Sequence, residues 1–184
     1  MPGLCPAFFF IFMKKMLTRS DAIAAPFYQG YLDQVGEDNV VAALKKSGRQ
    51  FREFFETIPP AKINFAYAPN KWTIKEVLQH IIDGERVFSY RALSFARKDP
   101  TPLPGFDENN WAAHSQAAAR EWSDLLDEFR AVRKSTRLLF GAFNDEQLLA
   151  AGVASGNPIN NLALGYICSG HVLHHMQIIK ERYL

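Results

Sequence analysis

Between residues 37 and 58 the apolar positions Val40, Val41, Leu44, Phe51, Phe54 and Phe55 recur near helical spacing, and Pro59 and Pro60 close the run. The pattern predicts a first helix there. An aromatic, irregular stretch follows, and then WTIKEVLQHIIDGERVFSYRALSFARKD, in which Thr73 and Glu76 read as a capping box. A second helix is expected out to about residue 97. Its apolar stripe is Ile74, Val77, Leu78, Ile81 and Phe88.

A span of about twenty residues comes next, DPTPLPGFDENNWAAHSQAA, with three prolines and Gly105. That is long for a connection inside a compact domain, and such loops often carry function. A third helix is expected from about 120 to 143, with Trp122, Leu125, Leu126, Phe129, Val132, Leu138, Leu139 and Phe140 on its apolar side. After a polar connection holding Gly152, Gly156 and Pro158, a fourth begins near Asn160 or Asn161 and runs almost to the terminus. No alternating strand pattern or internal repeat is visible. The expected class is all-α, a four-helix bundle whose long loop between helices two and three permits a connection other than simple up-and-down.

A chain of 184 residues that is 48% hydrophobic can bury one core. Residues 21–184 are therefore read as a single domain and residues 1–20 as an N-terminal extension outside it. The apolar run from Ala7 to Met13 is too short to span a bilayer, which takes roughly 20 apolar residues. Its positive charges, Lys14, Lys15 and Arg19, follow the run, whereas a secretory signal carries them before it. Met13 and Met16 are both credible starts for a shorter chain. With a net charge of only +2, the composition lacks the basic excess of a phosphate-backbone binder, so neither nucleic acid nor membrane is an expected partner. Cys5 and Cys168 lie far apart without a CxxC pair, which fits a reducing cytoplasm.

The chemistry is concentrated in GHVLHHMQIIKERYL, where His171, His174 and His175 fall within five residues. Positions four apart on a helix lie about 40° apart around the axis, so His171 and His175 can aim at one point. Val172, Ile178 and Ile179 surround His175, whereas His174 sits beside Gly170 and Gln177; His175 is thus the inward residue and His174 the flanking one. A third ligand should come from another helix. His80 is the other helical histidine, and the glycine at 84, unfavourable in mid-helix by roughly 1 kcal/mol, suggests room made for a metal with its waters or for a close helix. Isolated, partly buried histidines bonded to backbone or carboxylate partners explain the spacing about equally well. Val172 stands where HExxH would have glutamate, which disfavours a zincin-type protease. Asp83 could orient an imidazole or act as a base, or be a solvated carboxylate paired with Arg86 or Lys75. Cys168 could approach a metal or be a small core residue. His114 has no assigned role.

KWTIKEVLQHIIDGERVFSYRALSFAR, LPGFDENNW and GHVLHHMQIIKERY together resemble the DinB/YfiT superfamily over roughly residues 62–183. The resemblance implies an up-down-down-up four-helix bundle and a divalent metal, zinc or nickel, held by His80, His171 and His175. It further implies a thiol S-transferase or hydrolase, with a low-molecular-weight thiol such as bacillithiol as a cofactor in the first case. An enzyme activating a thiol or water nucleophile on a small-molecule substrate is the leading expectation, and a non-catalytic metal- or ligand-binding module is the alternative. Phe106, Asp107, Glu108 and Trp111 in the long loop are candidate substrate contacts. A homodimer is compatible with the apolar faces.

Overall fold

The computed structural model describes residues 16–184. Residues 1–15, which hold Cys5 and most of the expected extension, lie outside the described residues. The helices are α1 (Gln29–Leu32), α2 (Val40–Phe55), α3 (Ile74–Ala96), α4 (Glu108–His114), α5 (Trp122–Gly141), α6 (Asp145–Leu149) and α7 (Asn161–Arg182). A two-stranded antiparallel hairpin, β1 (Ala151–Ala154) with β2 (Asn157–Asn160), precedes α7.

Helices α2, α3, α5 and α7 are the four expected from periodicity. Asn39 starts α2 by accepting from the backbone N–H of Ala42. Thr73 and Glu76 form the expected capping box of α3, with Glu76 Oε2 accepting from Thr73 N–H at 2.7 Å. Leu138 departs from expectation: it is 67% exposed, so the buried face of α5 ends on Thr136 and Phe140.

Helix directions follow from named contacts. Trp122 at the start of α5 lies 6.2 Å, ring to ring, from Phe55 at the end of α2. Gly165, early in α7, faces Val40 at the start of α2 and Phe140 near the end of α5. Lys75 donates to the carbonyl of Arg120 at 2.6 Å, and Ser89 meets Thr136 at 3.0 Å, so α3 and α5 run parallel. The Tyr183 hydroxyl donates to the carbonyl of Trp72 at 2.8 Å, which sets α7 antiparallel to α3. The order is up-down-down-up, with 97–121 crossing back along the bundle. Each of α2 and α3 packs on α5 and α7, so these two stand at opposite corners.

Two apolar clusters fill the bundle. One is built on Leu44, Phe88, Phe95, Phe140 and Leu164, the other on Phe51, Phe55, Ile81, Leu125, Phe129 and Ile179. Fully burying each such side chain contributes about 1.5–3 kcal/mol. Between the clusters runs a polar layer. Arg133 donates to both oxygens of Glu85 at 2.7 Å, to the carbonyls of Leu44 and Cys168, and to Ser47 Oγ, thereby joining all four long helices.

The hairpin was not expected. Four-residue strands are too short to show alternation, and Pro158 within β2 argues against a strand. Ser155 and Gly156, both with positive φ, make its turn. Leu103 adds to its edge, donating to Val153 O at 2.9 Å and accepting from Ser155 N at 3.0 Å, which anchors the crossing segment.

The boundary placed after residue 20 also shifts. Leu17 packs on the core, Thr18 to Asp21 form a capped turn, and Arg19 donates to the carbonyls of Leu32 and Val35. Asn160, the cap of α7, holds the same segment through Ile23 N–H and Asp21 O. Among the described residues no helix is long and apolar enough to cross a membrane.

Candidate metal centre

His80 sits in the second turn of α3, and His171 and His175 lie one turn apart on α7, which runs antiparallel beside it. Nε2 of His171 is 2.9 Å from Nε2 of His80 and 3.0 Å from Nε2 of His175. The ligand atoms of all three lie within 4.8 Å of one another. A neutral imidazole nitrogen carries either one hydrogen or one lone pair, so His171 Nε2 cannot satisfy two such neighbours by ordinary hydrogen bonds. Three convergent nitrogens suit a cation between them, and the donor set fits a divalent metal of the zinc or nickel type.

Burial sets the protonation state. His171 and His175 are almost wholly buried and His80 partly so. Desolvation, reinforced by His174, lowers the pKa of His80 to about 4. Desolvation first, and the neighbouring histidines second, hold His171 and His175 well below the ordinary imidazole value. All three are therefore neutral near pH 7, the form that ligates metals.

Gly84 explains how the helices close up. A β-carbon there would lie 3.1 Å from Cε1 of His171, so the room made in α3 is for the His171 ring of the neighbouring helix. A β-carbon on Gly170 would lie 2.0 Å from the carbonyl oxygen of Tyr31, so α1 lies backbone to backbone against α7. Tyr31 thereby packs edge-on against His171 and His174, with ring centroids 5.4 and 5.1 Å away.

The three histidines open on a cavity of about 400 Å³. Its walls include Tyr28 and Tyr31 from the N-terminal segment, Trp72 just before α3 and Phe88 within it, Phe106 and Glu108 from the crossing segment, and Ser155 from the hairpin turn. Trp72 lies 4.8 Å from the His80 ring. Burial, and then Glu108 and Tyr28, raise the pKa of Tyr31, which keeps its hydroxyl protonated.

The loop candidates separate. Phe106 and Glu108 reach the cavity. Asp107 instead caps α4, accepting from the N–H groups of Asn109 and Asn110 at 3.0 Å. Trp111 is 42% exposed and packs tilted against Phe106, ring centroids 4.6 Å apart, facing a neighbouring apolar cavity. Asp83 also lines that second cavity. It accepts from Gln79 at 2.9 Å and lies 3.7 Å from Arg86; burial raises its pKa, against the pull of both partners. His174 lines the main cavity at its rim and is not one of the convergent three. Cys168 is buried in the core, where desolvation pushes its thiol pKa well up. His114 is exposed, its Nδ1 2.8 Å from Asn110 O. Sequence reasoning missed Tyr28, Tyr31 and Ser155; the glycine beside His171 was the available signal for a close approach there.

In comparisons with known proteins, the DinB superfamily model matches residues 43–179. No curated protein matches the chain. Among solved structures, YfiT from Bacillus subtilis is similar with a TM-score of 0.65 and 15% identity, over 86% of this chain and 87% of that one. It is described as a probable metal-dependent hydrolase with an unusual four-helix bundle topology.

Proposed function

This chain belongs to the DinB superfamily, and we propose that it is a metal-dependent hydrolase in which His80, His171 and His175 hold a divalent ion. The observation that carries the reading is the convergence of three neutral Nε2 atoms at the wall of a cavity with room for a small substrate. YfiT's description as a probable metal-dependent hydrolase supports it. Held by these three histidines, such an ion would supply Lewis acidity and would lower the pKa of a water or thiol.

The protein's own part is to bind, orient and exclude. Trp72, Phe88 and Phe106 offer apolar surface to a substrate and keep bulk water out. The Tyr31 hydroxyl, held protonated, is placed to donate to a developing negative charge. Among the described residues Glu108 is the only carboxylate on the wall, and its Oε atoms are assigned the proton transfer. That role passes to it from Asp83, which faces the neighbouring cavity. Among the described residues, neither lysine nor arginine lines the wall. Small thiol cofactors carry carboxylates that such groups would pair, so water is favoured over thiol as the nucleophile.

Elemental analysis of protein without a histidine tag tests the site. One equivalent of metal should be lost in His80→Ala, His171→Ala and His175→Ala and kept in His174→Ala. Stoichiometric metal surviving all of the first three would sink the assignment. The loaded protein is then offered neutral esters and amides, with and without small thiols. Turnover only with a thiol would make it a transferase, and none under any condition would leave a non-catalytic metal module.

A further inference from the structure

The groove between α2 and α5, which shares no lining residue with the histidine cavity, concentrates positive charge. Lys45, Arg49 and Arg52 recur at i, i+4 and i+7 along α2, and Arg130, Lys134 and Arg137 do the same along α5. All six are exposed, and all line one cavity of about 320 Å³ whose floor is Phe129 and the buried Arg133. Among the described residues no carboxylate lines it. The chain as a whole has 21 Lys and Arg against 19 Asp and Glu, so the cluster does not follow from composition.

Some of this charge is offset at the margins. Arg49 lies 3.8 Å from Glu53, Arg130 pairs with Glu56 and Asp127, and Arg133 is neutralised by Glu85 beneath the floor. Among the described residues Lys45, Arg52, Lys134 and Arg137 have no carboxylate partner. Holding four unpaired cations on facing helices costs self-repulsion, which a multivalent anion would remove. Gly48 keeps the floor open: a β-carbon there would lie 3.1 Å from Cγ of Arg133.

We propose that this groove binds a small phosphate-rich anion of the inorganic or nucleoside polyphosphate class. Its length selects such a ligand. Seven residues of helix span roughly 10 Å, enough for a few linked phosphates and short for an extended nucleic-acid backbone. Its concavity, walled by two helices, suits a compact anion better than a flat lipid surface. Guanidinium groups from both sides can pair phosphate oxygens in bidentate fashion.

The test is calorimetric titration of the full chain with inorganic triphosphate at low salt. Binding of one equivalent is expected, weakening as salt rises. The double substitution Arg52→Ala/Arg137→Ala should weaken it about tenfold or more, since each guanidinium supplies charge-assisted bonds. Lys45→Glu/Lys134→Glu should do the same independently, with circular dichroism confirming that both fold. Lys98→Ala, which removes an exposed cation elsewhere, and His171→Ala, which disables the histidine centre, should leave this equivalent intact. Binding unaffected by the groove substitutions, or abolished only by His171→Ala, would overturn the proposal. So would failure to bind triphosphate while duplex DNA or phosphatidylglycerol vesicles bind.

Discussion

Gly84 on α3 and His171 on α7 touch so closely that the two helices meet through the imidazole ring itself, with no side chain between backbone and ring. The missing β-carbon sets how near Nε2 of His171 comes to Nε2 of His80, at 2.9 Å. A weak point in helix propensity is thus a geometric requirement of the centre.

Replacing Gly84 by alanine should separate stability from metal binding. Alanine favours the helix by roughly 1 kcal/mol, while its methyl, 3.1 Å from His171 Cε1, must push the ring aside. Melting temperature should change little and metal affinity should fall by about 10- to 100-fold, the range expected when support of a ligand is disturbed. Unchanged affinity in a metal titration would show that the ring can retreat without cost.

The Glu85–Arg133 pair is buried and joins α3 to α5 at 2.7 Å. Glu85→Gln leaves the guanidinium buried without its counter-charge, and should cost about 3–5 kcal/mol in urea unfolding. Replacing both residues by methionine should recover most of that loss, because the penalty comes from the uncompensated charge.

Gly170→Ala puts a methyl 2.0 Å from the Tyr31 carbonyl oxygen, a backbone atom that cannot rotate away. The segment around α1 should lift from α7, lowering stability by about 1–3 kcal/mol. Displacing Tyr31, whose hydroxyl is assigned to the developing negative charge, should also lower kcat more than it raises KM for any substrate the cavity accepts.

Stability of the protein stripped of metal should fall in mild acid. The histidine pKa is 6.5 when unperturbed and about 4 for His80 in the fold, with His171 and His175 also well depressed. Below pH 6.5 the unfolded chain takes up protons that the folded one refuses, so stability declines as pH drops from about 6.5 toward 4. Thermal melts across that range should show the decline, and His80→Ala should make it shallower.

Some of this organisation is legible in the chain alone. The four long helices follow from apolar periodicity, the start of α3 from the Thr73 and Glu76 box, and the inward choice of His175 over His174 from the neighbours of each. Those features depend on residues within a few turns of one another, where helix geometry alone sets the relationship. The ends of elements were less readable: the hairpin at Ala151–Asn160 was hidden by strands too short for a period, and the packed turn at Thr18–Asp21 by its dependence on Asn160.

Tertiary structure decided the rest. Helix α7 is buried along nearly all its first half, so its sequence has no apolar face that could show what packs where. Which side chain fills the space at Gly84, that Tyr31 and Ser155 wall the cavity, that Asp83 turns to a second cavity while Glu108 turns to the first, and that two basic stripes meet in one groove all depend on contacts between segments distant in sequence. Local sequence specifies helices because each turn bonds only to the next. The surroundings of a side chain are set by which elements pack against it, and that pairing exists only once the chain has folded.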